Sequence, residues 1–318
     1  ISYYLSLSCY PVTFLSFFNI LYSSYFDHYL NLDAYILTLF VSFLLGTGLY
    51  FFSKNSERNI QFYEKLILIF TVYFFISLLI SIPYYFGNYH LSFIDSFFEA
   101  ISGLTTTGFT VFYNVKFLDP TLIIWRTSSH WIGGLFFLIF LILIFSNFKQ
   151  EYKLTHLVYN PDKATNLFKD IKGTVIKIFF LYIFLTGLIF IFFTFSGIRL
   201  FNSFNLAMTI SSSGAFLPTN ELSEIIRHFS QKIILTIAVT FSTLNIYFFY
   251  SLFNETNIGK KHREDFLILI AIFFFSTILF FSIQDTSYIN TLFNVVSSLS
   301  NSGLTFDAPP KNFYLFFI

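Results

Sequence analysis

Long apolar runs alternate with short polar breaks along this chain. Runs of about 20 mostly apolar residues are long enough to cross a bilayer as helix. They fall near residues 3–23, 34–53, 62–86, 121–147, 174–197, 228–253 and 264–284, and an eighth opens near 312. The polar breaks are of two kinds. One kind is basic: Lys54, Arg58 and Lys65; the five lysines between 149 and 172; and Lys260, Lys261, His262 and Arg263. The other kind, at 24–33, 87–120, 198–227 and 285–311, is poor in Lys and Arg. The two kinds alternate strictly. Cytoplasmic loops carry the excess of Lys and Arg, so the first terminus is expected in the cytoplasm. The pattern predicts an all-α polytopic membrane protein.

Three of the outer breaks carry a second signal. Within each, after the preceding span, a largely apolar stretch of 10–13 residues ends in small polar residues. That length is too short to cross and suits a segment that dips into the bilayer and returns. Two of these stretches, SFIDSFFEAISGLTTTGFT (92–110) and SYINTLFNVVSSLSNSGLT (287–305), align without a gap. Seven of nineteen positions are identical, including Ser92/Ser287, Ser102/Ser297, Gly108/Gly303 and Thr110/Thr305. A third copy, FNLAMTISSSGAF (204–216), is looser. Setting Gly214 on the other two glycines brings Phe204 onto Phe98 and Phe293, and Asn205 onto Asn294. The repeating unit is span, short helix, polar loop, span. Two of the short helices open with a capping signal, Ser92 with Asp95 and Ser287 with Asn290. The runs 105–107, 211–213 and 300–302 end them, because Ser, Thr and Asn compete for backbone hydrogen bonds.

Such a loop has a physical use. Non-helical backbone at membrane depth is tolerated only where it is buried in protein or lines a water-filled cavity. Carbonyls left free there can replace the hydration shell of a small cation. The short helix also aims its partly negative C-terminal end at the same place. Glycine lets successive carbonyls take backbone angles that side chains resist. No ring of acids accompanies the loops, which argues against selection of divalent ions by carboxylates.

Composition agrees. Of 318 residues, 55% are hydrophobic and 11% charged, against about 25% charged in soluble domains. A net charge of +1 gives no footprint for nucleic acid. The single cysteine, Cys9, excludes an intrachain disulfide. No span holds a catalytic constellation, so the protein is not expected to be an enzyme. The chain opens with Ile1 and closes inside the apolar run 313–318, which reads as incomplete.

Single residues sharpen the picture. Asp95 reads as a helix cap, and Glu99, on the same helix face, as a bonding partner for loop amides behind the filter; both could also attract cations at the mouth. Arg126, inside the span after the first loop, reads as structural, against a place near the outer vestibule. Gly133 and Gly134, like Gly46 and Gly48, read as close-packing positions. His130 has no metal-ligand partner at helical spacing. Residues 147–173 form the longest cytoplasmic segment, suited to an interface or a soluble regulator.

The residues FFEAISGLTTTGFT (97–110), the run WRTSSHWIGGLFFLIF (125–140) and the two later loops resemble the TrkH/KtrB/HKT superfamily of potassium transport proteins. The resemblance covers essentially the whole chain and is nearest to the TrkH branch. It implies four span–pore helix–span units around a pseudo-symmetric pore, preceded by an extra pair of helices. Accordingly, 1–60 is expected as that pair, 61–150 as the first pore repeat, 151–258 as the second with its cytoplasmic linker, and 259–318 as a truncated third. It implies passage of K+, or of Na+, and no other cofactor. It implies a homodimer in a bacterial-type inner membrane, and often a cytosolic nucleotide-binding regulatory subunit. The filter segments carried over are Thr106-Thr107-Gly108, Ser212-Ser213-Gly214 and Asn301-Ser302-Gly303. Three departures follow. The fourth loop is missing, the middle copy has Asn202 one residue late for a cap, and Ser and Asn replace the Thr pair. They leave a second reading, a non-conducting remnant that keeps only the fold.

Overall fold

The computed structural model describes residues 1–55, 61–145, 171–249 apart from 245 and 247, 263–282 and 287–306. The eighth span near 312, most of the linker 147–173 and Lys260, Lys261 and His262 lie outside the described residues. The chain divides into two compact units, 1–179 and 180–318.

The first unit opens with α1 (Ser2–Tyr25) and α2 (Leu32–Phe52). They form an antiparallel hairpin. Tyr3 meets Tyr50, a β-carbon added at Gly46 would lie 3.3 Å from that of Cys9, and the Thr13 and Ser42 hydroxyls sit 2.8 Å apart. Small residues along this seam let two apolar helices approach, as lipid-embedded helices require. Next come α3 (Phe62–Phe86), the short α4 (Phe93–Leu104) and α5 (Pro120–Phe145). Helices α3 and α5 run antiparallel. The Lys65 ammonium donates to the Leu143 carbonyl at 2.6 Å, the Tyr73 and Phe140 rings pair, and the Trp125 indole donates to the Ile80 carbonyl at 3.1 Å. Lys65 is thus a buried cap on the end of α5, where a cation meets the partly negative helix terminus. Tyr35 packs on Trp125 and donates to the Thr121 hydroxyl, joining the hairpin to α5.

The second unit begins within α6 (Ile171–Phe195) and continues with α7 (Leu200–Ser211), α8 (Phe229–Thr243), α9 (Arg263–Ser282) and α10 (Tyr288–Leu299). Its core gathers Phe193, Leu206, Phe216, Phe293 and Val296, all fully buried. Among the described residues, six helices are long and apolar enough to cross a membrane: α1, α2, α3, α5, α6 and α9. Their outward faces are crowded with exposed Phe and Leu, such as Phe40, Leu44, Phe70 and Phe274, as a lipid solvent requires.

The expected span 228–253 is not one helix. Helix α8 ends at Thr243, and Leu244 is extended. Its 15 residues cover about 22 Å at 1.5 Å each, short of the roughly 30 Å hydrocarbon core. Ser242 and Thr243 turn their hydroxyls back onto the Val239 and Thr240 carbonyls, and such back-bonding weakens and bends helices.

Candidate ion-coordinating loops

The three short helices are built alike. Each is 12 residues long. Ser92 caps α4, accepting from the Asp95 amide at 3.1 Å while its hydroxyl donates to the Asp95 carboxylate at 2.7 Å. Ser287 caps α10, accepting from the Asn290 amide. Helix α7 has Arg199 at its N-cap, without a side-chain cap bond.

Each helix then ends in the same turn. One residue past the C-cap, the backbone enters the left-handed region: φ is 57° at Thr106, 54° at Ser213 and 59° at Asn301. Side chains other than Gly and Asn resist this region, so the turn is held by its bonds. The amides of Thr107, Gly214 and Ser302 return to the carbonyls of Ser102, Thr209 and Ser297 at 3.0, 2.8 and 3.1 Å. The hydroxyls of those same three residues donate seven positions ahead. Ser102 reaches the Phe109 carbonyl at 2.6 Å, Thr209 the Phe216 carbonyl at 2.7 Å, and Ser297 the Leu304 carbonyl at 2.7 Å. One residue at each helix end therefore grips both sides of its loop.

Between those grips the chain presents bare oxygens. Among the described residues, nothing donates to the backbone carbonyls of 106–108, 213–215 or 301–303. Three successive acceptors in each loop are thus without a protein donor, and most of these residues are at least partly exposed.

The shared geometry corrects the alignment of the middle copy. Matched by helix ends, left-handed residue and hydroxyl grip, Thr209 corresponds to Ser102 and Ser297, and Ser213 to Thr106 and Asn301. The glycine register is one residue out. Ser212 is the helix C-cap, level with Thr105 and Ser300, and the triplet level with Thr106-Thr107-Gly108 is Ser213-Gly214-Ala215. The same shift puts Asn202 level with Asp95 and Asn290, so it does not come late. Ser203 falls level with the buried Ser96 and Thr291. Glycine is replaced for a reason that the backbone shows. Gly108 and Gly303 have φ of 85° and 62°, whereas neither Gly214 nor Ala215 has a positive φ. Alanine fits where left-handed backbone is not needed.

Behind the first loop lies a charged knot. Glu99 is wholly buried, and its carboxylate receives the Arg126 Nε at 2.7 Å, the Thr110 hydroxyl at 3.0 Å and the Val111 amide at 2.9 Å. Arg126 also donates to the Thr110 hydroxyl at 3.0 Å, and its guanidinium lies 5.6 Å from the Phe112 ring centroid. Arg126 is 1% exposed and does not snorkel to an interface. The Leu206 and Asn294 positions correspond to Glu99 in the other two helices, so this knot is peculiar to the first.

One contact gives the close-packing reading of Gly133 its partner, and another gave no signal in the sequence. Gly133 of α5 lies so close to the end of α4 that an added β-carbon would sit 2.0 Å from the Leu104 carbonyl oxygen. Towards the outer loops, the Asp119 amide donates to the Tyr89 hydroxyl at 2.6 Å, and the Asp119 carboxylate lies 3.8 Å from His28. Burial raises the Tyr89 phenol above its ordinary pKa, with the Asp119 charge adding to the rise and its backbone bond opposing it. His130 is buried in α5. Among the described residues, no cluster of His, Cys, Asp and Glu is placed to hold a metal ion.

The sequence model of the family described as cation transport protein, TrkH, matches residues 32–265. The chain belongs to the TrkH family. It is similar to an uncharacterized cation transporter of Methanocaldococcus jannaschii, at 25% identity over 79% of this chain and 52% of the relative. It is similar to the Trk system potassium uptake proteins TrkG and TrkH of Escherichia coli, at 24% identity over 86% of this chain and 59% and 60% of theirs. The crystal structure of the potassium transporter TrkH from Vibrio parahaemolyticus shares the fold, with a TM-score of 0.72 and 18% identity over 92% of this chain and 64% of that one. The chain thus spans about half to three-fifths of the length of the curated relatives that it matches. The polytopic all-α fold of TrkH proteins accounts for its helices, and the relatives are transporters rather than enzymes.

Proposed function

We propose that this chain is part of a monovalent-cation uptake protein, with potassium the ion carried, and that the ion sheds water onto backbone carbonyls of the repeated loops. The nine carbonyls at 106–108, 213–215 and 301–303 carry this reading, because none has a donor among the described residues. In the bilayer such oxygens need a partner, and a poorly hydrated cation supplies one without demanding carboxylates. Potassium rather than sodium is favoured by the printed names of the E. coli relatives. Asp95 and Glu99 then lie at and behind the mouth of the first loop, with Arg126 supporting it.

The same reading places the protein in a bacterial-type inner membrane with its N-terminus in the cytoplasm, because the basic breaks alternate with the loop-bearing ones. It also assigns a second copy of the chain and a cytosolic nucleotide-binding regulatory subunit as partners. The designation of the relatives as members of a Trk system supports more than one component.

The test is potassium uptake. Expressed at full length in cells lacking their own potassium uptake systems, the protein is expected to restore growth at low potassium. Normal membrane insertion without rescue would favour a protein that keeps the fold but conducts nothing. The middle loop is the observation on that side, because its backbone departs from the other two after Ser213.

A further inference from the structure

We infer that the buried Glu99–Arg126 pair positions the first loop through Thr110, and that this loop therefore sets the ion preference. The inference rests on the filter reading above and adds residues that touch no ion.

The three loops are held unequally. All share the hydroxyl grip from Ser102, Thr209 or Ser297. Among the described residues, only the first adds a charged anchor just past its carbonyls. Glu99 accepts from both the Thr110 hydroxyl and the Val111 amide. Arg126 reaches the same hydroxyl, and the Phe112 amide donates to it at 3.1 Å. Thr110 Oγ1 thus joins a carboxylate, a guanidinium and the outgoing backbone at one atom. Charge-assisted bonds are shorter and about twice as strong as neutral ones, so the chain leaving Gly108 has little freedom. The second loop has the apolar Leu206 at the corresponding place and the third has Asn294. Selection between ions of different radius by carbonyls needs their spacing to be kept, and among the described residues the first loop is the one best held.

Both charges are needed together. Glu99 alone would place a carboxylate behind ion-binding carbonyls, and Arg126 alone would place a repelling cation there. Paired at 2.7 Å, they hold the loop without adding net charge.

The experiment compares Thr110→Val, Thr110→Ser, Glu99→Gln and Glu99→Gln/Arg126→Gln in the full-length protein. Half-saturating K+ and inhibition by Na+ are measured per inserted molecule. Thr110→Val keeps the shape and leaves the ion pair intact. It is expected to raise half-saturating K+ about tenfold, the scale of one lost bond to a charged group, and to narrow the preference for K+ over Na+. Thr110→Ser, which keeps the hydroxyl, restores most of both. Glu99→Gln weakens K+ binding further because Arg126 is left uncompensated, and the double variant recovers part of the loss. Unchanged affinity and ion preference per inserted molecule in Thr110→Val would overturn the inference, whether or not Glu99→Gln folds. Gly108→Ala separates the two readings. If it abolishes selective uptake while Thr110→Val has no effect, the filter reading stands and this inference alone falls. If it leaves selective uptake intact, both fall.

Discussion

Gly133 and the Leu104 carbonyl leave no room between them for a side chain. A β-carbon on Gly133 would sit 2.0 Å from the oxygen and 2.7 Å from the carbonyl carbon. The neighbour is backbone at the last residue of α4, two residues before the left-handed Thr106. A flexible side chain could move aside, but this carbonyl cannot move without moving the loop. Gly133→Ala is therefore expected to destabilise the protein by at least the roughly 1–3 kcal/mol of core overpacking. Thermal unfolding of the detergent-solubilised protein measures it, and a melting temperature equal to wild type would contradict the contact.

The hydroxyl grips make a graded prediction. Ser102→Ala removes the bond to the Phe109 carbonyl, and Ser297→Ala removes the bond to the Leu304 carbonyl together with the hydroxyl contact to Ser302. The net loss is about 1 kcal/mol per bond, with the freed carbonyl adding its own desolvation penalty. Thr209→Ser keeps the bond to Phe216 and should be close to neutral. Ion affinity should follow the same order, which uptake at varied external K+ would show.

These grips also mark what the sequence could and could not reveal. The spans were legible because lipid demands long apolar runs. The short helices α4 and α10 were legible because Ser92 and Ser287 announce their first turns. Glycine is a false anchor for the middle copy and misaligns it by one residue. Gly214 is the only glycine there, yet its φ is not positive. The Ser or Thr at the helix end was the better anchor, and Ser203 and Asn202 both fall into place once Thr209 is used. The end of α8 at Thr243 was hidden because apolar residues continue past it. Pairings such as Glu99 with Arg126, 27 residues apart, and Gly133 with Leu104 belong to packing, and no local pattern encodes them.

Glycine should matter unequally among the loops. Gly108 and Gly303 occupy left-handed backbone, where a side chain costs roughly 1–2 kcal/mol. Gly108→Ala and Gly303→Ala should therefore reduce uptake strongly, while Ala215→Gly should leave it near wild type. Equal sensitivity at all three positions in the same uptake assay would mean that the middle backbone matches the others after all.

Lys232 ties α8 to α10 and to the loop that follows it. Its ammonium donates to the Asn290 side chain at 2.9 Å and lies 4.6 Å from the Phe306 ring centroid. Lys232→Met keeps the length and loses both contacts, for about 1–2 kcal/mol in all. The melting temperature should fall, and Lys232→Arg should recover part of it. No shift with Lys232→Met would show that the contact carries no stability.

The central claim is that backbone oxygens of these loops take the place of an ion's water. The most direct measurement is anomalous scattering from crystals of the full-length protein soaked in rubidium or thallium salts. The account predicts density within coordinating distance of the carbonyls of residues 106–108 and 301–303, lost on exchange into a salt of a large organic cation. Ions found only on side-chain carboxylates such as Asp95, with the loop carbonyls bare in a protein shown to carry potassium, would contradict it.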